Sequence, residues 1–160
     1  MIKLSEIETK YGNYLVDEDK LKELLVKPKP KTIWDLKEGD TYYHISANFG
    51  VLPSVWYNDA PSNLRRNLGT AFLTEKEAEM EFCREVCETI MMKYGRRTFK
   101  YKDDNYSLQF DNTSKKVYVE VWHTCQFQGS IYFDTKELAK KAINEIGEER
   151  LKKYVFRIEE

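Results

Sequence analysis

Apolar residues along the chain keep two rhythms, one at every third or fourth position and one at every second, and the switches between them predict its elements. Near the start, Ile2, Leu4, Ile7 and Tyr11 keep helical spacing, with Ser5 available as a cap and Gly12 as a stop. A short helix is therefore expected over 2–11. A second is expected from Asp17 to Leu25, where Leu21, Leu24 and Leu25 share a side and the acidic start suits the helix dipole. Lys27-Pro28-Lys29-Pro30-Lys31 then removes two amide donors and repels itself, which predicts an extended, exposed connector.

Trp34 and Leu36 open the next region, Gly39-Asp40 supplies a turn, and Thr41-Tyr42-Tyr43-His44-Ile45 has the aromatic and branched composition of a strand. Gly50 turns the chain back. Val51 to Tyr57 reads as a broken return strand, because Pro53 is tolerated mainly at a sheet edge or bulge. Asn58 to Asn67 reads as a loop, and Gly69 to Phe72 as a short strand. Thr74 with Glu77 three residues later is a capping box for a long helix over 75–94. Its apolar face carries Ala78, Phe82, Cys83, Val86, Cys87, Ile90, Met91 and Tyr94, and Gly95 ends it.

Beyond Gly95, Tyr106, Leu108 and Phe110 alternate with polar residues, Asp111 to Lys116 supplies turn chemistry, and Val117, Val119 and Val121 alternate again. This pattern predicts a hairpin. Gly129 to Phe133 predicts another short strand, and Thr135 caps a helix bearing Leu138, Ala139, Ala142, Ile143 and Ile146, interrupted at Gly147.

Val55-Trp56 matches Val121-Trp122, Gly69 matches Gly129, and the spacing of Phe72, Thr74 and Ala78 matches that of Phe133, Thr135 and Ala139. The expected fold is therefore α+β. Two degenerate antiparallel strand-strand-strand-helix units, over 34–98 and 99–160, pack together behind a helical N-terminal arm and Lys/Pro linker over 1–33. The matching residues all have packing or capping roles. Function is expected where the copies differ: in the 58–67 loop, the 123–128 loop and the N-terminal arm.

Composition narrows the classes. Hydrophobic residues make up 41% of the chain and charged residues 33%, so most of it should fold beneath a heavily charged surface. Twenty-six basic residues face twenty-seven acidic ones, and no global field drives the chain onto nucleic acid or anionic lipid. No apolar run approaches membrane-spanning length and no secretory leader is evident, which points to the cytoplasm and away from membranes. Cys83, Cys87 and Cys125 are odd in number and scattered, and read as reduced thiols.

The chemistry-bearing residues give no recognisable catalytic motif. Cys83 and Cys87 lie one helical turn apart and His123 and Cys125 sit at a strand end, a set that could hold zinc only if the fold gathered it. The helical cysteines belong to an apolar face and neither pair has Cys-x-x-Cys spacing, so neither metal nor any other cofactor is expected. Cys125 with His123 also has the residue types of a thiol nucleophile and base, but their spacing on a strand suits an ordinary strand end, and no catalytic residue is assigned. Binding residues are expected among the aromatics and arginines: Tyr42, Trp56, Tyr57, Arg65, Arg66, Arg96, Arg97, Trp122 and His123. Such residues serve protein interfaces and single-stranded nucleic acid alike.

Three stretches carry a family likeness: Lys3-Leu-Ser-Glu-Ile-Glu8 with Tyr11-Gly12-Asn13-Tyr14; Trp34-Asp-Leu-Lys-Glu-Gly-Asp40 with Tyr42-Tyr43; and the Phe-x-Thr-x-x-x-Ala junctions followed by Gly147-Glu-Glu-Arg-Leu-Lys-Lys-Tyr154. In these the chain resembles uncharacterised small accessory proteins of phages and prophages of Gram-positive bacteria. The resemblance implies a non-enzymatic protein that acts in the host cytoplasm by binding a host protein or ribonucleoprotein, including inhibition of antiviral defence such as CRISPR-Cas. The competing expectation is a nucleic-acid-binding module that uses the sheet aromatics and arginine pairs.

Overall fold

The structure is a computed structural model that describes residues 4–12, 32–48 and 50–158. The chain divides into two units, Met1–Lys31 and Thr32–Glu160. In the first, helix α1 spans Leu4–Tyr11, within the expected 2–11. Thr9 Oγ1 donates back to the Ser5 carbonyl at 2.8 Å. The expected helix over 17–25 and the Lys/Pro connector lie outside the described residues.

The second unit is α+β. It opens on a single 3-10 turn, Ile33–Asp35, where the Asp35 carboxylate accepts from the Thr32 amide and hydroxyl at 2.9 and 2.8 Å. Strands β1, Thr41–Ser46, and β2, Gly50–Val55, pair antiparallel from Thr41 opposite Val55 to Ser46 opposite Gly50. β2 is an unbroken edge strand, which is how Pro53 is accommodated without removing an interior ladder bond.

The segment read as a loop contains a helix instead. α2 runs Ala60–Asn67, begun by Asp59, whose carboxylate accepts the Ser62 amide at 2.9 Å, with Pro61 in the first turn where its missing N–H is harmless. β3, Ala71–Phe72, then joins the other side of β1, giving the order β2-β1-β3. Helix α3 spans Glu75–Tyr94, and its capping box is in place: Thr74 Oγ1 accepts from the Glu77 amide and Glu77 Oε2 from the Thr74 amide.

β4, Asn105–Asp111, and β5, Lys116–Trp122, form the expected hairpin. The strand expected over Gly129 to Phe133 is reduced to two bridges, Arg96 with Tyr132 and Phe133 with Tyr106. Gly95 makes the first of these fit, since a Cβ there would stand 2.8 Å from the Tyr132 carbonyl oxygen and 2.9 Å from Ile131 Cγ2. Gly95 ends α3 in extended conformation rather than as a left-handed cap. Thr135 caps α4, Lys136–Ile146; Gly147, at φ +88°, interrupts; a short helix α5, Glu148–Arg150, runs into a π-helical turn over Leu151–Val155.

Two cores result. Leu36, Tyr42, Trp56 and Ala71 form a small one beneath the first sheet. The larger one gathers Cys87, Met91, Leu108, Ile131, Phe133, Ala139, Ala142, Ile146 and Leu151. α3 packs against all three strands of the first sheet and against α4 and the π-helical turn, so it belongs to both halves. Phe82, expected inward, is on its exposed side.

Each half runs hairpin, short third element, threonine-capped helix with a buried alanine, Ala78 or Ala139, in the first turns. Register differs, however. Thr41 faces Val55 while Phe72 faces Tyr43; in the second half both Val121 and Phe133 face Tyr106. The likeness lies at the strand-to-helix junction and does not extend to register or sheet size.

Candidate functional site

Asp59 and Pro61 fix the start of α2, and that start determines where its last turn points Arg65 and Arg66. The Arg66 guanidinium carbon lies over two indole rings, 4.7 Å from the Trp34 centroid and 5.0 Å from that of Trp56. Cation-π attraction holds it on both. Its Nη2 donates to Asn63 Oδ1 at 2.6 Å, and Asn63 Nδ2 in turn donates to the carbonyls of Asn58 and Asp59. Its Nε is buried without an acceptor. Arg65 Nη1 donates to the Tyr42 hydroxyl at 2.7 Å. Tyr42 presents its edge to Trp56 at 5.6 Å and lies 6.0 Å from the His44 ring.

The stack runs from core to solvent. Trp56 is 1% exposed and Tyr42 fully buried, so neither offers a face to a partner; Trp34 is 64% exposed. Tyr57, next in chain to Trp56, is exposed, as are Leu64 and Leu68 on the side of α2 opposite buried Ser62. Four of the sequence-predicted residues, Tyr42, Trp56, Arg65 and Arg66, are thus brought together, with Tyr57 adjoining. Trp34, Asn63 and His44 were not singled out for this cluster. Trp34 could have been, as a large aromatic just beyond a charged connector.

The guanidinia of this cluster differ from most of the others in charge balance, exposed Arg150 also lacking an ion pair among the described residues. Neither Arg65 nor Arg66 forms an ion pair among the described residues, whereas Arg84, Arg96, Arg97 and Arg157 all do. Asp59, the carboxylate whose charge interacts with Arg65, is committed to Ser62 at the start of α2. The Ser62 hydrogen bonds hold Asp59 below the usual carboxylate range, with Arg65 adding a lesser pull.

His44 sits on β1 with Nδ1 buried and unpartnered. Burial, then the Arg65 charge, lowers its pKa from 6.5. The unfolded state therefore binds a proton at higher pH than the folded state does. Stability is fully present above about pH 6.5 and falls as pH drops from there toward the folded value, at up to about 1.4 kcal/mol per pH unit. Urea denaturation between pH 7.5 and 5 should show this loss for the wild type and not for His44→Gln.

The remaining predicted residues follow α3 in the chain, each partnered within its own chain. Arg96 donates to Asp134 and to Asn105 at 2.9 and 3.0 Å, and also to the Thr98 carbonyl. Lys100 and Arg96 together hold Asp134 below the usual carboxylate range. Arg97 pairs with Glu88 at 2.8 Å. Trp122 Nε1 donates to Ser107 Oγ at 3.1 Å and its ring meets Phe127 edge-on. His123 Nε2 is 2.9 Å from Asp104, which also accepts from the Tyr106 hydroxyl.

Cys83, Cys87 and Cys125 are free thiols; Cys87 is buried, which pushes its pKa up. Among the described residues, no group of three or more His, Cys, Asp or Glu could hold a metal ion, and no helix is long and apolar enough to cross a membrane. A groove of about 1050 Å³ runs between the first half of α3 and the C-terminal turn, floored by Phe72, Met80, Tyr154 and Ile158. Its carboxylates are engaged: Glu77 caps α3, Glu81 binds Arg84 and Arg157, and Glu149 binds Lys152. Compared with protein-family models, curated proteins and solved structures, the chain matches none.

Proposed function

We propose that the chain is a non-enzymatic accessory protein of phage type that docks on a host protein or ribonucleoprotein and blocks it, an antiviral defence system such as CRISPR-Cas being the expected target. The observation that carries the docking reading is the Trp34–Arg66–Trp56 stack. Tryptophan, tyrosine and arginine dominate the residues that contribute most to binding at protein interfaces, and here Trp34, Tyr57 and Arg66 stand on a rigid base. The resemblance to phage accessory proteins supports the host setting.

Local charge favours a protein partner over nucleic acid. Residues 32–73 hold Lys37, Arg65 and Arg66 against Asp35, Glu38, Asp40 and Asp59, three basic to four acidic. A phosphate-tracking groove needs a basic excess. Expressed in a bacterium whose CRISPR-Cas system targets an infecting phage, the chain should restore plaque formation. Trp34→Ala should abolish the rescue with the melting temperature unchanged, since Trp34 is mostly exposed. No rescue, together with no host protein retained by the chain after nuclease treatment, would overturn the reading.

A further inference from the structure

We infer that the Arg65–Arg66 turn of α2 is a carboxylate-recognition site, seating an acidic segment of the partner protein whose neighbouring aromatic or apolar side chain covers Trp34. This deepens the docking reading above and rests on it.

A guanidinium carries five N–H donors in a fixed fork, matched to the two oxygens of a carboxylate. Among the described residues, Arg65 makes a side-chain hydrogen bond to Tyr42 and Arg66 one to Asn63, which leaves most of their donors without a described partner. Both side chains are half-buried, where an uncompensated charge is unfavourable. The chain does compensate its other half-buried arginines: Arg84 lies between Glu81 and Glu88, and Arg96 lies against Asp134. At α2 the carboxylate it does have, Asp59, is directed to the Ser62 amide as the helix cap. His44, nine-tenths buried with Nδ1 unpartnered, adds a second unsatisfied polar atom whose ring feels the Arg65 charge.

Charge decides which anion fits. Two adjacent guanidinium forks match one or two carboxylates, and the four acidic residues within 32–73 make a longer anionic run less favourable than so short a one. The Arg66 guanidinium carbon lies 4.7 and 5.0 Å from the Trp34 and Trp56 ring centroids and its Nε is buried, so an incoming carboxylate meets its terminal Nη groups. Mostly exposed Trp34 then offers a flat apolar surface beside that contact.

The test is an NMR titration of the full chain that follows the arginine Nε–H and tryptophan indole N–H signals. The probes are the peptide acetyl-Glu-Phe-Glu-amide, its Gln-Phe-Gln counterpart, inorganic phosphate and an oligothymidylate. The glutamyl peptide should shift the signals of Arg65, Arg66 and Trp34 and bind about tenfold tighter than the glutaminyl one, as charge-assisted bonds require. Arg66→Lys, which keeps the charge but loses the fork, should lose most of that preference while the chain stays folded. Equal binding of the two peptides, or no shift with either, overturns carboxylate recognition; if Trp34→Ala still abolishes phage rescue, the docking reading stands without it. Tighter binding of the oligothymidylate at the same signals overturns both in favour of nucleic acid.

Discussion

Replacing Trp56 with alanine is expected to destabilise the Thr32–Glu160 unit by about 3–5 kcal/mol, as for other buried aromatics. A melting temperature lower by roughly 10 °C should accompany it. Trp56 is 1% exposed and fills the small core between Leu36, Tyr42 and Ala71. Its amide donates to the Asp40 carbonyl at 2.8 Å and its carbonyl accepts from Gly39 at 2.9 Å, so the ring is held from a braced backbone. Truncation opens a cavity in a core with few other large side chains, removes the edge contact with Tyr42 and takes away one ring against Arg66. Urea denaturation followed by circular dichroism measures the loss. Trp34→Ala is the matched control: it removes the other ring against the same guanidinium from a mostly exposed position, and should change stability by less than about 1 kcal/mol.

Asn105→Ala is expected to be nearly as damaging, for a polar reason. Asn105 is fully buried at the start of β4. Its Oδ1 accepts from the Lys100 amide at 2.9 Å and from Arg96 at 3.0 Å, and its Nδ2 donates to the carbonyls of Lys100, Asp103 and Trp122. One amide thus ties the loop after α3 to both strands of the hairpin. Deleting it orphans several groups at once, each worth about 1–3 kcal/mol when buried and unsatisfied, for a total loss of about 3 kcal/mol or more. Asn105→Asp is isosteric but cannot donate, so it should recover little. Urea denaturation gives the size of the effect. Hydrogen exchange should show the Lys100 amide losing protection before those of α3.

Asn105 was invisible in the sequence, where it is one asparagine in Asp-Asp-Asn-Tyr and reads as turn chemistry. Its role arises from a loop closing on a hairpin, a contact that no local pattern encodes. α3 and the hairpin were legible because each is long and strictly periodic, and because Thr74 with Glu77 marks the helix start without ambiguity. α2 was missed although Asp59 and Pro61 are helix-start residues, since Ser62, Asn63 and the arginine pair carry no apolar period to extend the signal. Gly129 to Phe133 had strand composition, yet only Tyr132 and Phe133 find partners, so burial rather than pairing accounts for its apolar residues.

The candidate site was half legible. Residue type identified Tyr42, Trp56, Arg65 and Arg66, and the fold brings those four together. The same criterion also chose Arg96, Arg97, Trp122 and His123, which the fold satisfies with Asp134, Glu88, Ser107 and Asp104. What separates the arginines of the two sets is a carboxylate partner among the described residues, and that is a property of three-dimensional neighbours. Trp34 joined the site because the 3-10 turn after Thr32 lays its ring on an arginine more than thirty residues downstream.

The central claim is that the Trp34–Arg66 face meets a protein partner and seats one or two of its carboxylates. The most direct measurement is photocrosslinking in the bacterial cells used for the plaque assay from Trp34→p-benzoylphenylalanine, with Tyr101→p-benzoylphenylalanine as the control from an equally exposed aromatic in the second half. The expected result is one discrete protein adduct from position 34, resistant to nuclease, diminished by Arg65→Gln with Arg66→Lys, and absent from position 101. An adduct that disappears with nuclease, one that forms equally from position 101, or none from position 34 would contradict the claim.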